Sequence, residues 1–146
     1  MLESIYETCK SEADSQRIVL IICNSIKDID TIKDIFINNQ FNKEKILEYK
    51  NEETVKNTLL SNLSPETIII ATNLAGRGTD IPLKEPIIKN GGLHVCLTFL
   101  PRNIRVQEQG FGRAGRKGEP GTCQLIINLD EFYKLGIVEK DEQKQL

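Results

Sequence analysis

Short runs of apolar, β-branched residues alternate along this chain with longer stretches whose apolar positions recur every three or four residues. Runs of the first kind predict strands at Arg17 to Cys23, Lys45 to Tyr49, Thr67 to Thr72, Leu93 to Phe99 and Thr122 to Leu129. The second kind predicts helices. Leu2 to Asp14 places Leu2, Ile5, Tyr6 and Cys9 at helical spacing, and Asp28 to Asn39 does the same with Ile29, Ile32, Ile35 and Phe36. Glu52 to Leu60 follows with Val55, Leu59 and Leu60, Asn103 to Gly112 predicts a short helix, and the tail after Asp130 begins another before turning polar. Two prolines and two glycines between Pro82 and Gly92 predict an irregular loop.

Strand and helix in alternation describe a doubly wound α/β domain on a mostly parallel sheet, and such folds place ligands at the carboxyl ends of their strands. The 146 residues fit a single domain, 1–146, large enough to bury one core. A net charge of -2 gives no electrostatic reason to expect a nucleic acid or an anionic membrane as partner. No apolar run approaches the roughly 18 residues of a membrane span, and no signal-peptide layout opens the chain, so a soluble, intracellular protein is expected. Cys9, Cys23, Cys96 and Cys123 form no C-x-x-C pair, and His94 is the lone histidine, so no metal or redox site is spelled out. Cys23, Cys96 and Cys123 lie in or beside apolar runs and are expected as small buried hydrophobes; His94, between Leu93 and Val95, is expected in a structural role.

The unusual residues gather in two stretches. In QGFGRAGRKG, residues 109–118, Gly110, Gly112 and Gly115 spell the dinucleotide fingerprint G-x-G-x-x-G. That fingerprint must follow a strand and open a helix, whereas these glycines end a helix and precede a strand. A P-loop fails as well: Arg116 stands where the motif needs lysine and Lys117 where it needs the hydroxyl that binds magnesium, and no other segment supplies one. The arginines fit better. Gln109, Arg113 and Arg116 are spaced to share one helical face, with Arg105 alongside, and guanidiniums flanked by Gly112 and Gly115 suit a cluster of phosphate oxygens. The second stretch, ATNLAGRGTDI at 71–81, follows the most β-branched strand; Gly76 and Gly78 bracket Arg77, and Thr79 and Asp80 add a hydroxyl and a carboxylate. Two Gly-Arg clusters are therefore expected at adjacent strand ends.

These residues carry a resemblance. ATNLAGRGTDI resembles motif V, and QGFGRAGR motif VI, of superfamily 2 helicase-type motors, while VLIICNSIKDID near 18–30 resembles motif IV. More narrowly, motif V followed by GGLHV at Gly91 to Val95, then Arg105 and the run to Gly121, resembles the second nucleotide-binding domain of SecA, the preprotein translocase ATPase. The resemblance implies a RecA-like three-layer α/β domain that closes over ATP and Mg2+ held mainly by a first RecA-like domain, which brings the P-loop lysine and the acidic magnesium motif. It implies that Arg113 and Arg116 are arginine fingers and that Gln109 helps orient the site. Gly76, Arg77, Gly78, Asp80 and Gly112 would face the nucleotide, with Arg77 and Asp80 coupling its state to the domain interface. It further implies a cytoplasmic protein, peripheral at a membrane where it works, with an unfolded polypeptide as the substrate moved. A nucleic-acid helicase or remodeller, and a non-catalytic interaction module, are the rival readings.

Overall fold

The structure, a computed structural model, describes residues 2–50, 64–72, 83–99 and 120–127. Five strands form one sheet in the order β2-β3-β1-β4-β5, where β1 is Ile18–Cys23, β2 Ile46–Tyr49, β3 Ile68–Thr72, β4 Leu93–Leu97 and β5 Gly121–Leu125. Every pairing is parallel. β1 lies in the middle, and all six of its residues are buried. That is why its sequence is a continuous apolar run without alternation: a strand covered on both faces has no solvent side. Burying each of its isoleucines stabilises the fold by roughly 2 kcal/mol before entropy is counted.

Helices α1 (Leu2–Asp14) and α2 (Ile26–Asn38) cover one face. Their Ile5, Cys9, Ala13, Ile29, Ile32 and Phe36 pack with Val19, Ile21, Cys23, Ile68, Ile70 and Cys96 of the sheet. The alternate residues Ile18, Leu20, Ile22, Ile69, Ala71, Val95 and Leu97 form the other core with Ile87 of the short helix α3 (Glu85–Lys89). The chain moves one way across the sheet from β1 to β2 and the opposite way from β3 to β4, so right-handed crossovers put α2 and α3 on opposite faces. Three layers result, the RecA-like α/β fold.

The expected strands are all present, several trimmed at their ends. Helix α2 begins two residues earlier than its apolar spacing indicates, because the Ser25 hydroxyl caps it by accepting from the Asp28 N–H at 3.3 Å. The expected irregular loop at Pro82 to Gly92 contains α3 instead. Pro86 falls in its first turn, where no backbone N–H is needed, so this proline starts a helix rather than breaking one. Cys123 departs from its expected burial: among the described strands β5 is at the edge with β4 as its one neighbour, and Cys123 is exposed, whereas Cys9, Cys23 and Cys96 are buried. The helices expected at Glu52 to Leu60, at Asn103 to Gly112 and after Asp130 lie outside the described residues.

Candidate functional site at the carboxyl edge of the sheet

The connection that leaves β1 runs toward β2 and the one that leaves β4 runs toward β5. Their divergence opens the topological switch point between the carboxyl ends of β1 and β4, where doubly wound sheets bind ligands. Three residues form a row along this edge. Thr72, the last residue of β3, pairs with Cys23, the last residue of β1. On the other side Thr98 extends the ladder beyond β4, its N–H and its hydroxyl both donating to the Ile22 carbonyl at 3.0 Å. Burial pushes the Cys23 thiol up to about 12, while a hydrogen bond with Thr98 works in the opposite direction. A thiol so placed is a packing group rather than a nucleophile.

Motif IV is fully described and occupies β1 and the start of α2. Beyond Cys23 the chain turns at Asn24 and Ser25 into α2, so the amino end of that helix, where the macrodipole favours anions, opens at the switch point. Asp28 in its first turn offsets part of that field. Ile26 beside it is 49% exposed, one of two large hydrophobics left open among the described residues.

The stretch that resembles motif V enters at Ala71 and Thr72; Gly76, Arg77, Gly78 and Asp80, expected there as site residues, lie outside the described residues, as do Gln109, Gly112, Arg113 and Arg116. The sheet does locate where each segment departs. Residues 73–82 leave from Thr72, and residues 100–119 leave beyond Phe99 and return at Pro120. The Gly-Arg clusters expected at adjacent strand ends lie outside the described residues; the strands from which their segments depart, β3 and β4, are not adjacent. The crossover from β3 to β4 passes β1, which therefore separates them by two strand spacings, about 10 Å.

His94 belongs to the other end of the sheet. Its Nδ1 lies 2.7 Å from Thr122 Oγ1 and its Nε2 3.3 Å from Gln124 Oε1. Thr122 Oγ1 also accepts from Arg17 Nη2 at 2.7 Å, so the one hydroxyl proton goes to Nδ1 and the ring carries its own proton on Nε2. Burial, aided by the nearby Arg17 charge and opposed by Glu12, lowers the pKa of this imidazole from its ordinary value. His94 is thus a neutral structural group.

Arg17 itself was legible only as the polar first residue of the strand expected at Arg17 to Cys23. It is 5% exposed, and its guanidinium donates to the carbonyls of Gly92 at 3.1 Å and Gly91 at 3.0 Å and to the Glu12 carboxylate at 2.7 Å as well as to Thr122. Tyr49, at the carboxyl end of β2, is buried, its hydroxyl finds no hydrogen-bond partner among the described residues, and burial pushes it up to about 12. Nothing in the sequence pattern marked it. Among the described residues no three His, Cys, Asp or Glu side chains gather to hold a metal ion, and no helix is long and apolar enough to cross a membrane.

Comparison with known proteins places these features. The family model described as the SecA P-loop domain matches residues 1–89. The chain is 37% identical over 114 residues to the protein translocase subunit SecA 2 of Geobacillus thermodenitrificans (strain NG80-2), covering 68% of this chain and 14% of that protein. It is 49% identical over 65 residues to the SecA 2 of Bordetella avium (strain 197N), covering 44% of this chain and 10% of that protein. The chain therefore spans about a tenth of the length of the curated relatives it matches. A solved structure of Mss116p DEAD-box helicase domain 2 bound to an RNA duplex superposes with a TM-score of 0.58 at 22% identity, covering 94% of this chain and 53% of that one. That likeness is one of fold.

Proposed function

We propose, since the chain belongs to the SecA P-loop domain family, that it works as the second, C-terminal motor domain of a SecA-like ATPase, folded as one unit over residues 1–146. Its task is to complete a composite ATP site whose other half, with the P-loop lysine and the Mg2+ ligands, is a first RecA-like domain. Although the matching family is described by a P-loop, residues 1–89 contain only two glycines, Gly76 and Gly78, and neither begins a G-x-x-x-x-G-K-[ST] run. The likeness of the fold to a second helicase domain supports the same assignment.

The observation that carries the reading is the row Thr72, Cys23, Thr98. It sends the chain segments that bear motif V and motif VI away from one sheet edge, on either side of the strand that carries motif IV. In this reading Arg113 and Arg116 reach the γ-phosphate as fingers, and Gln109 helps orient the site. Gly76, Gly78 and Gly112 permit close approach, and Arg77 and Asp80 link nucleotide state to domain closure. A guanidinium there opposes the negative charge that develops as the phosphoryl group transfers, an effect worth about 10³ to 10⁵ in rate. The work done is movement of an unfolded polypeptide, by a cytoplasmic protein peripheral at a membrane.

The test is reconstitution. The chain alone hydrolyses no ATP; mixed with the first motor domain of the Geobacillus SecA 2 it restores turnover. Arg113→Ala or Arg116→Ala then lowers kcat at least about a hundredfold. Wild-type turnover in both variants would remove the finger assignment. Tight, salt-sensitive binding of single-stranded RNA in place of ATPase would favour the helicase reading.

A further inference from the structure

We infer that the Thr122 hydroxyl, held between the Arg17 guanidinium and the His94 imidazole, is an acid-sensitive latch that keeps strand β5 on the sheet, a device that acts on β5 itself and does not depend on the motor reading. Packing holds this strand only weakly. Gly121, Thr122, Cys123 and Leu125 are exposed, Gln124 is half-buried, and among the described strands β4 is its one neighbour. An element that buries so little apolar surface opens at a lower free energy than the core.

Polar contacts take the place of packing. Arg17 is fixed by the carbonyls of Gly91 and Gly92 and by the Glu12 carboxylate, and its Nη2 donates to Thr122 Oγ1 at 2.7 Å. Thr122, which pairs in register with His94, gives its own proton to Nδ1 at 2.7 Å, and His94 Nε2 lies 3.3 Å from Gln124 Oε1. One neutral imidazole therefore ties down two residues of β5. Once protonated, the ring has two donors and no acceptor, so the Thr122 proton loses its partner. Two cations then flank a single oxygen. His94 is 3% and Arg17 5% exposed, so water screens their repulsion poorly. The charged groups that bear on the imidazole are Arg17, at the head of β1, and Glu12 of α1. Glu12 is already engaged with Arg17 at 2.7 Å, and its side chain is 32% exposed, so it offsets the second cation only in part. Release of β5 draws Thr122 away from both cations and returns the ring to water. Acid therefore favours the open strand.

Native-state hydrogen exchange on the 146-residue chain, corrected for the intrinsic effect of pH, tests the latch beside an NMR titration of His94, the lone histidine. The Ile126 amide, bonded to the Leu97 carbonyl at 2.9 Å, reports on β5; the Val19 amide, bonded to the Thr67 carbonyl at 3.0 Å, reports on the core. Ile126 is expected to exchange through a lower-energy opening than Val19. Its protection should fall about tenfold per pH unit as pH drops from 6.5 toward the folded pKa of His94, because the released strand leaves the ring one proton richer. His94→Gln should abolish that dependence. Thr122→Val should move the His94 titration up toward its ordinary value and speed Ile126 exchange at neutral pH, and Thr122→Ser should restore both. Protection at Ile126 that ignores pH, that equals protection at Val19 throughout, or that keeps its dependence in His94→Gln would overturn the latch. Should His94→Gln fail to fold, the Thr122→Val titration decides, and an unmoved His94 rejects the latch.

Discussion

The carbonyl oxygen of Pro120 occupies the place where a side chain on Gly92 would begin, 1.9 Å from an ideal Cβ, and Gly92 itself has φ +74°. Both facts demand glycine. Gly92→Ala is therefore expected to lower the unfolding free energy by at least about 2 kcal/mol, since backbone must move and the left-handed conformation adds strain. Urea denaturation measures it; a change under about 0.5 kcal/mol, typical of a surface substitution, would mean β5 does not dock there.

Helix α2 ends in a Schellman motif with glutamine where glycine is usual. Phe41 N–H bonds the Phe36 carbonyl, Gln40 N–H bonds the Ile37 carbonyl, and the rings of Phe36 and Phe41 meet edge to face at 5.3 Å. Gln40 has φ 64°. Gln40→Gly removes the Cβ penalty and should raise stability by about 1 kcal/mol, seen as a higher Tm.

The buried hydroxyl of Tyr49, without a partner among the described residues, carries a desolvation cost with no compensating bond there. Tyr49→Phe keeps the ring and drops that cost, so a gain of about 1 kcal/mol is expected in thermal or chemical unfolding. A loss of similar size would show that the hydroxyl has a partner in solution.

His94 makes stability depend on pH. Its folded pKa lies below the ordinary 6.5, so between those two values the unfolded chain binds the extra proton and the folded one does not. Stability should rise with pH through that window, and should fall as pH drops from 6.5 toward the folded pKa. Protonation would also break the Thr122 bond to Nδ1 and place a cation near Arg17. His94→Gln should flatten this dependence; an equal slope in both proteins would assign it to other groups.

Much of the fold was written locally. Continuous apolar runs located β1 and β3, because a strand buried on both faces has no polar positions to interrupt it. The spacing of Ile29, Ile32 and Phe36 located α2, because one helical stripe must face the sheet. Local pattern misjudged Pro86, which a helix start tolerates and a helix interior does not. It also misjudged Cys123, since being an edge residue is a property of strand order and not of the residues themselves.

By itself the sequence determined the alternation of strands and helices, the lack of a P-loop, and the two Gly-Arg motifs whose residue types suit phosphate. Only the tertiary structure decided that β1 stands between the strands leading to those motifs, and that Arg17, His94 and Thr122 meet at the far edge. Side-chain periodicity reports which face of an element is buried, but not which element lies next to it. Partners such as Arg17 and Thr122 are brought together by crossovers that no local pattern encodes.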